Sequence, residues 1–565
     1  MTRARRSFDG ATLALFQALF AACAEEMGST LMRTAHSPNV TERLDHSCAI
    51  FDGRGRLIAQ AAHIPVHLGS MPRAVEVVLE RCELAPGDVV ALNDPFEGGT
   101  HLPDITLVSP VFERAQARTR RPAFVVASRA HHADVGGAAP GSMPIARDVY
   151  EEGLRIPPVH LVRGGALDDA VLRLVLANVR TPRERHADLM AQVGAQATGV
   201  ERLGDMLRAH GRAALERAAG ALMRHAADCV RASLRGLEPG TFRFEDALDD
   251  DGLGHGPIWI RAAVTLAGDR VLADFSGSSP QTPGPVNAVL AVTRAAVTYA
   301  VRCVLGGDFP VNHGALERID VIAPLGSVLN PRPPAAVSAG NVETSQRVVD
   351  VVLGALARAL PERVPAASSG TMNNLLVGGR DPVSGHPFAY YETLGGGHGA
   401  GPTWNGASAM QAHMTNTRNT PVESLEHAYP LRVRRTRIRR GSGGAGRHRG
   451  GDGIERTLEL LADARVTVIA DRRTRGPWGL NGGRDGAPGR TVLEGGSTGR
   501  ARILPGKFVI DLPRGAVLTV ASPGGGGYGR PAPTLGSSSV VRPEGRGRGT
   551  ARRIRAAALA KRSHP

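Results

Sequence analysis

The polar residues best suited to chemistry follow two apolar runs that are predicted to be buried strands. The first group is the stretch of residues 93–104, in which His101 and Asp104 are three positions apart. The second is residues 128–134, which contains the adjacent His131 and His132 and ends in Asp134. A loop that leaves a buried strand is where a rigid fold usually presents reactive groups. Imidazoles and carboxylates from two neighbouring strand ends could therefore bind one divalent metal ion.

The types of these side chains restrict the metals that they would bind. Nitrogen and oxygen ligands without a thiolate favour zinc, manganese or iron over copper(I) or a metal–sulfur cluster. Asp45, which precedes another predicted strand, could complete the set of ligands. A loop histidine is more often a surface or capping residue, however, and an aspartate often caps a turn. Spacing alone therefore leaves a metal site and a set of structural side chains as alternatives.

Both helices and strands are predicted to position these residues. Apolar residues recur at steps of three and four between Leu13 and Leu31, which predicts an amphipathic helix rather than a secretory leader. Apolar runs at residues 47–51, 89–92, 105–111 and 123–128 predict buried strands. Helical patterns fill residues 172–225, 288–305 and 344–360. Strands are predicted at residues 258–266 and 271–275, and short alternating strands begin near residue 429.

The fold class that follows is a multi-domain mixture of α/β and α+β structure. We predict an N-terminal α/β region with the metal-site loops at residues 1–235 and a central mixed α/β region at 236–428. A β-rich C-terminal region follows at 429–529. The last residues, 530–565, have few large apolar groups and cannot bury enough surface to offset chain entropy, so a disordered basic tail is predicted there.

The formal net charge of +15 raises the question of nucleic-acid binding. Only two of the 68 basic residues are lysines, Lys507 and Lys561, and such an arginine bias indicates GC-rich coding rather than a phosphate-binding surface. Residues 541–565 alone carry eight basic residues and one acid. A nucleic-acid-binding protein, based on the arginines of residues 432–440 and the tail, is a remote alternative. The aromatic content of 4% leaves few rings for base stacking.

Cysteine usage and hydropathy bear on the compartment. The five cysteines show no paired or CxxC spacing, which favours a reducing cytoplasm over a disulfide framework. No segment approaches the roughly 18 apolar residues of a membrane span. We expect a cytoplasmic protein that does not contact the membrane.

Ten segments of the sequence resemble, in order, the signatures of the hydantoinase B/oxoprolinase family. They are residues 37–49, 63–71, 93–104, 131–137, 274–277, 281–287, 338–344, 391–393, 415–421 and 522–529. The resemblance covers nearly the whole chain before the tail. It implies a hydrolase subunit that works in a hetero-oligomer with an actin-like ATPase, the hydantoinase A subunit, to open lactams or hydantoins. In that scheme the partner uses ATP to phosphorylate the amide oxygen, and this chain directs water onto the activated carbon.

The resemblance also implies a set of metal ligands. Those of the family correspond to Asp45, His101, Asp104 and either His131 or His132, of which His131 is the assignment chosen. Spacing does not separate the two histidines, because residues 113–121 form a longer stretch than is usual. The metal expected is zinc or manganese.

Further residues are predicted to act in proton transfer or in orienting the ligands. His132, Asp134 and Glu392 are the predicted catalytic residues, and His63 and His67 are further candidates. Structural hydrogen bonding is the alternative for each.

Glycine-rich stretches at residues 395–401 and 524–529 resemble phosphate cradles, but a cradle needs a helix directly behind it. The second stretch runs into prolines, whereas the first could line the site near a phosphorylated substrate. A G-x-x-x-x-G-K-[ST] motif is absent, because Phe508 follows Lys507.

A second enzymatic function comes from the same superfamily, in which acetone and acetophenone carboxylases use a related metal subunit to carboxylate a phosphorylated enol. The His-Leu-Pro-Asp and His-His-Ala-Asp forms at residues 101–104 and 131–134 favour the hydrolase.

Overall fold

The computed structural model describes residues 8–61, 64–67, 69–113, 121–306, 309–494 and 501–532. His63 and the tail from residue 533 onward lie outside the described residues. The predictions for both therefore stay predictions. Among the described residues, no helix is long and apolar enough to cross a membrane.

Both polar segments of the predicted metal site leave a seven-stranded sheet. Its strands in chain order are β1 (His46–Asp52), β2 (Leu57–Gln60), β3 (Val89–Leu92), β4 (Asp104–Val111), β5 (Phe124–His131), β6 (Val159–Arg163) and β7 (Ala166–Leu167). Their spatial order is β2-β1-β5-β4-β3-β6-β7. Every neighbouring pair is antiparallel.

Helices cover both faces of this sheet. They are α1 (Gly10–Thr34), α2 (Pro38–Thr41), α3 (Met71–Arg81), α4 (Val149–Glu152), α5 (Asp169–Ala177), α6 (Pro182–His210) and α7 (Arg212–Arg235). Cys48 and Ile50 of β1 pack in the apolar cluster with α1, whereas Ala49 and Phe51 pack on the opposite face with α3. Because successive residues of a strand point to opposite faces, a sheet covered on both sides requires uninterrupted apolar runs. The predicted buried strands of this region are confirmed.

A second sheet packs against two long helices. Its strands are β8 (Gly240–Leu248), β9 (Ile258–Ala267), β10 (Arg270–Asp274) and β11 (Ile319–Ile322), in spatial order β11-β10-β9-β8. The two long helices are α8 (Leu290–Leu305) and α10 (Ser345–Leu356), the latter preceded by a π-helical turn at Gly340–Thr344. The short helix α9 (His313–Leu316) lies between them in the chain. The largest apolar cluster lies between this sheet, α8 and α10.

The remaining strands form two further sheets. They are β12 (Asn374–Arg380), β13 (Pro387–Thr393), β14 (Leu431–Arg439), β15 (Gly453–Leu460), β16 (Ala464–Ile469), β17 (Arg490–Glu494), β18 (Arg502–Leu504), β19 (Lys507–Leu512) and β20 (Val517–Ala521), with α11 (Val422–Ala428) between β13 and β14. The spatial orders are β13-β12-β16-β19 and β14-β15-β20-β17-β18. The two sheets share one apolar cluster. The predicted mixed fold class with several sheets is confirmed.

The β13-β12-β16-β19 sheet pairs strands from both sides of the domain boundary predicted at residues 428 and 429. Residues up to Pro531 form one compact unit. The predicted domain limits stay a prediction. The limit predicted between residues 428 and 429 does not coincide with the edge of a sheet, because β12 and β16 pair across it.

The glycine-rich stretches pack backbone against backbone. The amides of residues 396–401 each donate within the protein, for example Gly397 N to Pro523 O at 3.0 Å and Ala400 N to Gly526 O at 2.9 Å. The amides of residues 524–529 do the same, among them Gly525 N to Gly451 O at 2.9 Å. Because these donors already have partners, they are not free to bind phosphate. The glycines are required by the close approach of neighbouring chain segments. The prediction that residues 395–401 line the site near a phosphorylated substrate stays a prediction.

Buried charges connect α10 with the strands around it. Arg347 lies 2.9 Å from Asp246 and 2.8 Å from Asp471, and Lys507 lies 2.8 Å from Asp471. Each of these side chains is at most 9% exposed, so every ion is neutralised by a neighbour rather than by water. Lys507 is thus held as a structural cation.

Candidate metal centre

Pairing of β1, β4 and β5 brings the predicted ligands to one edge of the first sheet. Asp104, the first residue of β4, is the cross-strand partner of His131, the last residue of β5. Asp45 lies just before β1, and its carbonyl accepts from the His131 amide at 3.0 Å. His101 lies in the turn that leads into β4, where its carbonyl accepts from the Asp104 amide at 3.0 Å. The predicted meeting of the two polar segments therefore follows from the register of two antiparallel strands.

His101, Asp104 and His131 form a compact buried cluster. One ligand atom from each lies within 4.8 Å of the others. Nε2 of His101 is 2.9 Å from Oδ1 of Asp104, and Nδ1 of His131 is 3.1 Å from the same oxygen. None of the three residues is more than 3% exposed. The side chains therefore concentrate two imidazoles and one carboxylate where water has little access.

The donor set of this cluster fits a divalent metal ion. Nε2 of His101 and Nε2 of His131 are both buried and have no hydrogen-bond partner among the described residues. Buried polar atoms without a partner are rare, and each calls for an explanation such as a bound ion. Two ligands of one ion, each about 2.1 Å from it, lie roughly 3.0–3.4 Å apart, and the 2.9 Å between Nε2 of His101 and Oδ1 of Asp104 is close to that separation. Zinc, manganese and iron are the ions that this combination of imidazole and carboxylate suits.

His67 extends the cluster on the other oxygen of Asp104. It ends a 3-10 turn at Pro65–His67, and its Nε2 lies 3.5 Å from Oδ2 of Asp104. Its Nδ1 lies 2.8 Å from Oγ of Ser47. Thr100 also donates to Oδ2 of Asp104, at 2.7 Å. The carboxylate of Asp104 is therefore held in position from several sides.

Burial and charge set the protonation states of the cluster. Burial acts to raise the pKa of Asp104, but the charge of the nearby His101 and the close polar contacts of His101, His131 and His67 outweigh it and hold the pKa well below the usual range. Burial acts to lower the pKa of His101, but Asp104 outweighs burial and raises it. Burial lowers the pKa of both His67 and His131. Asp104 is thus an anion, and the imidazoles of His67 and His131 are neutral near pH 7.

Asp45 lies beside the cluster but is not one of the three residues whose ligand atoms lie within 4.8 Å of one another. Its Oδ2 is 4.0 Å from Nη2 of Arg43. Burial raises the pKa of Asp45, although His131 and Arg43 act to lower it. A role for Asp45 as a fourth ligand stays a prediction.

The structure places His132 away from the cluster. Nε2 of His132 is 2.9 Å from Oε1 of Gln192 on α6, and burial, followed by the nearby Arg185, lowers the pKa of His132 to about 4. Of the two adjacent histidines, His131 is the one that approaches His101 and Asp104.

Asp134 and Glu392 also lie in other surroundings. Asp134 forms an ion pair with Arg180 at 2.9 Å and accepts from the Gly136 amide, so it holds the loop after β5. Glu392 forms an ion pair with Arg456 at 2.9 Å. No hydrogen bond or ion pair within the described ranges joins His132, Asp134 or Glu392 to the cluster. Their predicted catalytic roles remain untested, and their contacts are those of structural residues.

Several residues that contact the cluster were not assigned a role from the sequence. The ring of Tyr391 stacks on His131 with 4.7 Å between centroids, and Nδ2 of Asn341 donates to Oδ2 of Asp104 at 3.4 Å. The carbonyl of Ser338 lies 3.3 Å from Nδ1 of His101. All three residues lie in segments that resemble the family signatures. The sequence therefore marked these segments but did not indicate that the three residues contact the cluster.

A cavity of about 640 Å³ reaches the edge of the cluster. Ser47 and His67 line it on the side of the metal centre, and Tyr299, Arg302 and Cys303 line it elsewhere. The cavity is large enough for a small molecule, and His67, which lines it, also contacts Asp104.

Four of the six arginines at residues 432–440 that suggested nucleic-acid binding form ion pairs with acids of the neighbouring strand. On β14, Arg434 lies 2.9 Å from Glu459, and Arg435 and Arg437 lie 2.9 Å from Glu455 of β15. This partial neutralisation by Glu455 and Glu459 weakens the remote alternative, because it reduces the net positive charge of the strand.

Comparison with known proteins gives relatives over nearly the full length of the chain. The 5-oxoprolinase 1 of Arabidopsis thaliana is 39% identical over 92% of this chain, which spans 42% of that protein's length. The B-type chain of a putative D-/L-hydantoinase from a Pseudomonas species (strain NS671) is 31% identical, with coverage of 90% of this chain and 88% of that one.

Two solved structures share the fold. The ATP-dependent caprolactamase of Pseudomonas jessenii superposes with a TM-score of 0.85 at 29% identity and covers 93% of each chain. A nucleotide-free acetone carboxylase has a TM-score of 0.85 at 20% identity over 92% of this chain and 76% of that chain. The hydantoinase B/oxoprolinase family model matches residues 9–531. The chain therefore belongs to the hydantoinase B/oxoprolinase family.

Proposed function

We propose that this chain is the metal-dependent hydrolytic subunit of an ATP-dependent enzyme that opens a cyclic amide, a lactam or a hydantoin. The observation that carries the proposal is the convergence of His101, Asp104 and His131, with two buried imidazole nitrogens that make no hydrogen bond among the described residues. Relatives named 5-oxoprolinase, D-/L-hydantoinase and caprolactamase support the class of substrate.

Amide hydrolysis requires both an activated carbonyl carbon and an activated water molecule. Resonance makes an amide a poor electrophile, and transfer of a phosphoryl group from ATP to the amide oxygen removes that resonance. We propose that a hydantoinase A-like partner performs this transfer. Water then adds to the activated carbon and the carbon–nitrogen bond breaks, which releases the amine and leaves an acyl phosphate. A second water hydrolyses the acyl phosphate to a carboxylate and inorganic phosphate. A divalent ion held here would act as a Lewis acid that lowers the pKa of water toward neutrality.

The residues of this chain have distinct parts in that scheme. His101, Asp104 and His131 would hold the ion, with Asp45 as a fourth ligand. His67 orients the carboxylate of Asp104, and Ser47 holds the other nitrogen of the His67 ring. The cavity that borders Ser47 and His67 would take the activated ring. The burial of the cluster excludes bulk water, which limits loss of the phosphorylated substrate to uncontrolled hydrolysis.

Carboxylation of a phosphorylated enol is the second function in the superfamily. The likeness to acetone carboxylase is a likeness of fold at 20% identity and does not favour that chemistry for this chain.

Reconstitution tests the proposal. The purified chain, supplied with zinc or manganese, should neither hydrolyse ATP nor open 5-oxoproline, a hydantoin or caprolactam. Addition of a hydantoinase A-like subunit should give ring opening coupled to ADP release for at least one of these substrates. The same mixture made with His101→Ala should not open the ring. Ring opening by the chain alone with ATP, or undiminished ring opening with His101→Ala, would contradict the proposal.

A further inference from the structure

Glu152, the last residue of α4, is a buried carboxylate that contacts a distant segment of the chain. It is 0% exposed, and its Oε1 accepts from the amides of both Val337 and Ser338 at 2.8 Å. Glu152 lies outside every segment that resembles the family signatures. A carboxyl group that accepts from two consecutive amides fixes the orientation of the peptide between them. These hydrogen bonds are strengthened when the carboxyl group is ionised.

Ser338, whose amide is held in this way, contacts the candidate metal centre through its carbonyl. The carbonyl of Ser338 lies 3.3 Å from Nδ1 of His101. Because a carbonyl can only accept, Nδ1 must carry the proton, and Nε2 of the neutral ring is then free to bind a metal. That nitrogen is the atom 2.9 Å from Oδ1 of Asp104. Ser338 therefore links the two residues, because its amide donates to Glu152 and its carbonyl, on the other side of its Cα, lies against the ring of His101.

The rest of this segment is attached to α4 as well. The amide of Val149 donates to the carbonyl of Pro334 at 2.8 Å, and Asp148 pairs with Ala335 in an isolated antiparallel bridge. The segment from residue 334 to 338 thus follows the position of α4. Loss of the Glu152 acceptor would leave two buried amides without a partner, so the segment would have to shift to find another.

We propose that Glu152 is a positioning residue of the metal centre, which acts through the Ser338 carbonyl to fix the ring of His101 and thereby sets the affinity for the metal ion. This inference rests on the proposed metal-dependent function. Outer groups that orient a ligating histidine typically change metal affinity by about 10- to 100-fold when they are removed.

Two variants of Glu152 separate its role as an acceptor from its role in packing. Glu152→Met has a similar length but no acceptor, whereas Glu152→Gln keeps an oxygen that can accept both amides. Burial raises the pKa of Glu152 to about 7, so the glutamine also resembles a state that the residue reaches near neutral pH. Asp88→Ala is a matched control. Asp88 is also buried and accepts two amides, from Ala85 and Gly164 at 2.8 Å, but it lies at the opposite end of β3 from the metal-site loop.

The experiment is chelator competition with zinc and with manganese on the full chain, with folding checked by circular dichroism. Glu152→Met should bind the metal about 10- to 100-fold more weakly than the wild type, while Glu152→Gln and Asp88→Ala should bind close to the wild-type affinity. Hydrogen–deuterium exchange of the amides of residues 334–340 should be faster in Glu152→Met alone. If Glu152→Met does not fold, Glu152→Asp, which is one methylene too short, takes its place with a smaller loss.

Wild-type affinity in the folded Glu152→Met or Glu152→Asp protein would overturn the inference and leave the proposed function intact. An equal loss in Glu152→Gln or in Asp88→Ala would also overturn it, because the effect would then be general destabilisation. Failure of the wild-type chain to bind either metal would overturn the proposed function and the inference together.

Discussion

Nε2 of His101 lies 2.9 Å from Oδ1 of Asp104, yet the two atoms do not form a hydrogen bond. With the proton of the neutral ring on Nδ1, both atoms are acceptors, and two lone pairs face each other in a buried space. A cation resolves this contact, either as a proton on His101, whose pKa Asp104 raises against the effect of burial, or as a metal ion that replaces that proton.

The ligand set is tested by the metal content of matched histidine variants. His101→Ala and His131→Ala each remove one of the three clustered side chains, so bound metal should fall far below one ion per chain while the fold persists. His132→Ala should retain its metal, because His132 contacts Gln192 rather than the cluster. Elemental analysis of the wild type and the three variants, purified side by side in metal-supplemented buffer, is the measurement.

Ring opening by the reconstituted enzyme should fall by several orders of magnitude in His101→Ala and His131→Ala, because water returns toward its bulk pKa of about 15.7. Equal metal in all four proteins would show that the assigned ligands are wrong. Loss of metal in His132→Ala but not in His131→Ala would exchange the roles of the two histidines.

The residues that form the candidate site could be predicted from the sequence better than their arrangement in space. The apolar runs before residues 93–104 and 128–134 indicated two buried strands, and polar groups at neighbouring strand ends were expected to meet. The choice between His131 and His132 could not be made, because it depends on the residue at which β5 ends and on the pairing of His131 with Asp104. Spacing along the chain does not contain that register.

The β12–β13 hairpin bears on the predicted catalytic role of Glu392, which stays a prediction. Glu392 was predicted to be catalytic from its place in residues 391–393, but successive residues of a strand face opposite sides. Tyr391 stacks on His131, so Glu392 points away and pairs with Arg456. Prediction of a strand that includes residues 391–393 would have placed Tyr391 and Glu392 on opposite faces. The contacts of Glu152 with Val337 and Ser338 are of another kind, since they join residues 185 and 186 positions apart and leave no local pattern.

The packing of the glycine segments predicts a large effect from one methyl group. A Cβ at Gly397 would lie 1.9 Å from the Gly451 carbonyl oxygen and 2.4 Å from the Gly525 nitrogen, and backbone atoms on both sides cannot easily move. Gly397→Ala should lose about 3 kcal/mol or more of folding free energy, or fail to accumulate in soluble form. Thermal denaturation and soluble yield measure the effect.

Gly194→Ala is the control for the glycine experiment. Gly194 lies within α6, and the nearest atom to an added Cβ is Cγ2 of Thr30 at 4.0 Å. Alanine there should be neutral or stabilise the helix by up to about 1 kcal/mol. If Gly397→Ala melted at the same temperature as Gly194→Ala, the close packing of the glycine segments would not be essential to the fold.

Glu343 predicts a pH dependence of stability that one substitution removes. It is 0% exposed, accepts from the Met372 amide at 3.1 Å, and has its pKa raised to about 8 by burial and by the nearby Asp471, against the opposing effect of Lys507. Arg473 is a further charged neighbour. The pKa in the unfolded chain is near 4.5, so the folded state binds more protons between pH 4.5 and 8. The contribution of Glu343 to the free energy of unfolding therefore falls as the pH rises through that window.

The substitution that tests this dependence is Glu343→Gln, which has no proton to lose and keeps an oxygen that can accept from Met372. It should match the wild type near pH 5 and exceed it by about 1 to 3 kcal/mol at pH 8.5, as measured by chemical denaturation at both pH values. Glu238→Gln, at an exposed glutamate, should show no such difference. A constant offset between Glu343→Gln and the wild type at both pH values would mean that Glu343 does not titrate in this window.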